Sequence, residues 1–115
     1  MQEDSNKFRS AIKQTEKLRS DFGMENLKNN EATILQYYSK LISMADNKEL
    51  KNNEAAFLIA DTMWYPVVDK NPDLEAISAD AGELELPDTI IDGDPKERWE
   101  RLKSWIQEEK DKIAK

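Results

Sequence analysis

The chain contains no cysteine and no histidine. Without cysteine there is no disulfide, no thiolate nucleophile and no cysteine-based zinc site. Without histidine the usual general base near neutral pH and the commonest metal ligand are missing. Any enzyme built here must work with carboxylates, lysine, tyrosine or hydroxyls. Three glycines and four prolines in 115 residues leave few turns, so the elements should be few and long. No apolar run approaches the ~20 residues that span a bilayer. Residues Met1 to Lys7 lack the charged-then-apolar layout of a secretory signal, so a cytoplasmic protein away from membranes is expected.

What is present is charge, at 36% of residues, and its placement is uneven. Residues 1–60 carry nine basic and nine acidic side chains, while residues 61–95 carry one basic residue, Lys70, against ten acidic ones. Nucleic acid is not an expected partner, because phosphate binding needs a basic footprint. The length suits a single domain, residues 1–115, able to bury a core without metal or disulfide support. No cofactor and no metal site is called for by these residue types.

The stretch around which the rest is organised is Ala55–Tyr65. Phe57, Leu58, Trp64 and Tyr65 fall at helical spacing, and Ile59, Ala60 and Met63 make the other side apolar too. A helix apolar all round belongs at the centre of a domain. Its one charge, Asp61, falls inside the apolar stripe, so it is expected either to be a buried acceptor paired with a tyrosine, a tryptophan or an arginine such as Arg98 or Arg101, or to lie at the stripe's edge, partly wet.

Around that centre the periodicity predicts an all-α fold. The first helix covers 5–22, with Ser5 as cap, Phe8, Ala11, Ile12, Thr15, Leu18 and Phe22 as apolar stripe, and Gly23 as stop. A second runs from about 25 or 30 to 46, with Asn26, Asn29 or Asn30 as cap and Asp46-Asn47 as its turn. Leu27-Lys-Asn-Asn-Glu-Ala32 recurs as Leu50-Lys-Asn-Asn-Glu-Ala55, and carrying that register forward sets Asp61 on Tyr38. Two copies of a good helix opening do not make a repeat array. Pro66 ends the central helix, and Val67-Val68 reads as extended. Asn71 caps a short helix over Asp73–Ala81, which opens at Pro72 and closes at Gly82. Glu83 to Asp94 reads as an acidic extended strap, followed by a helix capped by Asp94 with Pro95 first and Glu97 completing the cap. Trp99, Leu102, Ile106 and Ile113 form its stripe, with Trp105 beside it. The architecture expected is an irregular bundle of four to five helices with an acidic strap between the last two.

Three carboxylate groups invite chemistry. Glu97/Glu100 and Glu108/Asp111 each resemble one half of the magnesium site of all-α nucleotide pyrophosphohydrolases. Both pairs lie on one continuous helix, however, about 16 Å apart at 1.5 Å per residue, and cannot share an ion. Asp88, Asp92 and Asp94 lack the alternation of a calcium loop, because Ile90 and Ile91 stand where polar ligands belong. The acidic segment carries the functional expectation. Asp80, Glu83, Glu85, Asp88 and Asp92 would meet a basic protein partner, together with Trp105, since the tryptophans at 64, 99 and 105 read mostly as core and Trp105 is the first candidate if one is exposed. The reading is a small, acidic, non-enzymatic protein-interaction domain, most concretely an inhibitor or immunity-type protein covering a basic site. The alternatives are a carboxylate-based enzyme or divalent-metal protein centred on Asp61, and a homodimer.

Overall fold

The computed structural model describes residues 8–84 and 93–114. The chain is all-α, with eight helices and no strand among the described residues. They are α1 (Arg9–Gln14), α2 (Glu16–Phe22), α3 (Met24–Asn29), α4 (Glu31–Asp46), α5 (Asn52–Ala60), α6 (Pro66–Asp69), α7 (Pro72–Leu84) and α8 (Pro95–Ala114). The two N-terminal helices expected from periodicity are each present in two pieces. The first bends at Thr15, whose hydroxyl donates to the Ala11 carbonyl at 2.8 Å. Such back-bonding bends helices. Gly23 then closes α2 at φ +88°, a left-handed conformation that favours glycine. Ser5, the expected cap, lies outside the described residues.

Asn30 is the cap used among the three candidates, its side chain accepting from the Thr33 N–H at 3.0 Å. The echoed hexapeptide is used differently the second time. Leu50 precedes the helix, and Glu54 closes the turn by accepting from the Lys51 N–H at 2.8 Å. Glu31 is therefore the first residue of α4, whereas Glu54 is the third of α5. The same six residues open both helices, but in different registers.

The central helix is shorter than its apolar run. α5 stops at Ala60, and Tyr65 is extended at φ −67° and ψ +136°. A residue before proline is driven out of the α region, so the run could not stay helical to Pro66. Pro66 then serves as the first residue of α6, which makes Val67 and Val68 helical rather than extended. Asn71 caps α7 as expected, its side chain accepting from the N–H groups of Asp73 and Leu74 at 3.0 and 3.3 Å. Gly82 does not end that helix, which continues through Glu83 and Leu84. The rest of the expected strap, 85–92, lies outside the described residues.

Burial follows the stripes. α5 buries Ala55, Ala56, Leu58 and Ile59, and α7 packs on it with Leu74, Ile77 and Ala81, each fully covered. Gly82 faces Ala60 across this contact, where an added Cβ would lie at an ordinary van der Waals distance of 3.8 Å from that of Ala60. α4 lays Ile34, Leu35, Tyr37, Tyr38, Leu41 and Ile42 against the same core. α8 closes it with Trp99, Leu102 and Ile106. Ile113, expected in that stripe, runs past the bundle's end and is 40% exposed. Phe8 stacks on Phe57 with ring centroids 4.4 Å apart, which holds α1 to α5.

Where the three helices α4, α5 and α7 meet, the core holds three hydroxyls. Tyr38 Oη lies 2.6 Å from Thr62 Oγ1, and Thr62 and Ser78 donate to the Ile59 carbonyl at 2.6 and 3.2 Å. Three donors thus find acceptors inside an otherwise apolar region, as buried polar groups must. Burial raises the Tyr38 pKa, with the Ser78 and Thr62 hydrogen bonds opposing it.

Candidate functional site

Asp61 is not the buried acceptor that the stripe implied. Because α5 stops at Ala60, well short of the expected end at Tyr65, Thr62 takes the inward place opposite Tyr38, and Asp61 turns out to the surface as the C-terminal cap of α5. Register carried across the echo fails at the residue where the helix stops. Arg98 is engaged elsewhere, pairing with Asp80 at 2.7 Å and with Glu83. Two of the acids expected to meet a partner are therefore held by the chain's own arginine. Glu85, Asp88 and Asp92 lie outside the described residues. Trp105 is half-buried against the core, beside Asp80, Arg101, Ser104 and Glu108. The exposed indole is Trp64 instead, at 61%.

Trp64 lines one cleft together with Met24, 39% exposed, and its chain neighbour Met63 is 41% exposed. Its indole ring meets Tyr65 edge-on at 4.6 Å and carries the Lys28 ammonium 4.9 Å from its centroid. That cation–π contact is worth about 0.5–1 kcal/mol at an exposed site. The cleft behind the indole has a volume of about 210 Å³. Its walls are Ile12, Arg19, Met24, Tyr37, Leu58, Asp61, Trp64 and Tyr65. Four separate segments build it: α1 and α2, the start of α3, the first half of α4, and the end of α5 with the turn after it.

Arg19 is fixed from behind. Its Nη1 donates to Thr15 Oγ1 at 2.7 Å and to Tyr37 Oη at 3.3 Å, and its Nη2 to the Ile12 carbonyl at 2.7 Å. Asp61 faces the same space, yet among the described residues no cation lies within ion-pair distance of it. The cleft walls partly desolvate its carboxyl and raise its pKa, with the field of Arg19 opposing. Tyr65 is pushed up to about 12, chiefly by burial and then by the charges of Tyr37 and Asp61. Burial also raises Tyr37, against the Arg19 hydrogen bond. Neither phenol ionises near neutral pH, so both act as hydrogen-bonding groups.

Arg19, Tyr37, Met24 and the exposure of Trp64 were not singled out by sequence reasoning. Pro66 was the available signal, since it requires the helix to end before Tyr65 and so throws Met63 and Trp64 outward. Nothing in linear spacing places Arg19 opposite Asp61. Among the described residues no three potential metal ligands converge. No helix of the described residues is long and apolar enough to cross a membrane. No family model, curated protein or solved structure matches the chain.

Proposed function

We propose that the protein is a non-enzymatic interaction domain that docks a basic protein partner through the corner of Met24, Met63 and Trp64. The observation that carries this is Trp64, 61% exposed and flanked by two exposed methionines. A clustered apolar patch on a charged domain marks a contact site, and tryptophan is the residue most enriched at binding hot spots. Methionine adapts to the shape of what it meets. The partner's charge follows from the chain's own. The net charge is −7, and the acid-rich segment 61–95 begins at this corner with Asp61. The overall field steers a basic surface toward the chain, while the corner itself carries Lys28 and Arg19, so the partner's basic groups fall around the indole contact rather than on it. An inhibitor or immunity-type protein covering a basic site remains the most concrete form of this reading.

The test is made on a partner captured with the purified chain. Trp64→Ala should weaken binding by roughly 2 kcal/mol or more, as truncating a hot spot does, while lowering the melting temperature by only a few degrees through the lost Lys28 and Tyr65 contacts. The association rate should fall steeply with added salt. Retained affinity in W64A, or an association rate indifferent to salt, would count against the reading. Light scattering decides the other occupant of the same face: a dimer dissolved by W64A makes that occupant a second copy.

A further inference from the structure

We infer that the cleft between Arg19 and Asp61 binds a free α-amino acid with an apolar side chain. This goes beyond the docking reading and does not depend on it. The observation is a guanidinium and a carboxylate that line one small cavity without pairing.

Asp61 stands where a carboxylate is unfavourable. It caps the C-terminal end of α5, the negative end of the helix dipole, and the cleft partly desolvates it. Groups kept at such positions are often kept for what they bind. Its acceptor capacity is unspent, because no described donor reaches its oxygens. Arg19 still has capacity as well. Of its five N–H groups, three are committed to Thr15, Tyr37 and Ile12. The Nε–H and one Nη2–H have no acceptor among the described residues, leaving two donors for a carboxylate.

Charge selects the occupant. A lone cation entering the cleft meets Arg19, and meets Lys28 over the Trp64 ring. A lone anion meets Asp61. A zwitterion leaves neither wall uncompensated, with its ammonium on Asp61 and its carboxylate on Arg19. The other walls, Ile12, Met24, Leu58 and the aromatic rings, leave a polar side chain without partners and favour an apolar one. Size agrees. The cleft volume of about 210 Å³ is well under the ~300–1,000 Å³ of drug-sized pockets and suits a single amino acid.

The experiment titrates L-leucine into the full chain at neutral pH and follows the Trp64 indole N–H resonance, identified by its loss in Trp64→Phe. A saturable shift at millimolar concentration is expected. N-acetyl-L-leucine, which lacks the ammonium, and L-leucinamide, which lacks the carboxylate, should each bind at least about tenfold more weakly. Asp61→Asn should lose leucine binding while keeping the wild-type circular dichroism, since the residue is exposed. No saturable shift, equal binding of either blocked analogue, or wild-type affinity in D61N would each overturn the inference. The outcome is independent of the docking reading, whose test uses a protein partner, W64A and salt.

Discussion

Asp61 shows at the scale of one residue how the proposed binding role and stability pull apart. Its pKa is raised in the fold, so between the ordinary carboxylate value and the raised one the native state holds more proton than the unfolded chain. Stability must fall as pH rises through that window, and the penalty is fully present above it. Asparagine, which cannot ionise, escapes the penalty and suits the C-terminal end of α5 better. Asp61→Asn is therefore expected to stabilise the protein at pH 7, by about 0.3–0.5 kcal/mol once solvent screening of an exposed group is allowed for. The gain should vanish on acidification below the ordinary carboxylate range. Urea unfolding of both proteins at pH 7 and in acid measures it, and a wild type more stable than D61N at pH 7 would contradict it.

At the scale of the element, the contact between α5 and α7 turns on Gly82. Its conformation is ordinary and helical, and an added Cβ would meet Ala60 Cβ at 3.8 Å, a normal van der Waals distance. Gly82→Ala should thus raise stability by about 0.5–1 kcal/mol, through helix propensity and a less flexible unfolded chain, with a matching rise in the unfolding midpoint. A loss instead would mean that the two helices cannot yield at that point. The same element shows what periodicity can and cannot carry. Leu74, Ile77 and Ala81 were legible as the inward face because spacing alone fixes a helix's buried side. The helix end was not, because glycine inside a helix and glycine after one look alike in sequence until something packs on them. The turn after Ala60 escaped for a related reason. Hydrophobicity continued through Met63 and Trp64, whereas the backbone obeyed Pro66. The cleft drew on residues from four segments, and long-range juxtaposition leaves no periodic trace.

Over the whole molecule, the radius of gyration of 13.3 Å matches the roughly 13 Å expected of a compact chain of this length. That compactness gathers a net charge of −7 into a small volume. Ion pairs offset part of it: Arg98 holds Asp80 and Glu83, and Lys103 joins α8 to Asp46 at the end of α4 at 3.1 Å. The remaining self-repulsion is long-range and screened by salt, whereas the Arg98–Asp80 pair, at 11% and 17% side-chain exposure, is screened much less. Raising sodium chloride from low to about 0.5 M should lift the melting temperature by about 2–4 °C, equivalent to about 0.5 kcal/mol. A fall over that range would mean that attractive pairs outweigh the net repulsion.

The three buried hydroxyls of Tyr38, Thr62 and Ser78 bear on more than folding. Thr62 immediately precedes Met63 and Trp64, so the strand of backbone that carries the indole is anchored from within. Much of the conformational entropy that a mobile loop would surrender on association is already lost in the folded chain. For the proposed docking, a preorganised corner of this kind would act through slow dissociation rather than fast arrival, leaving the approach rate to the surrounding charge.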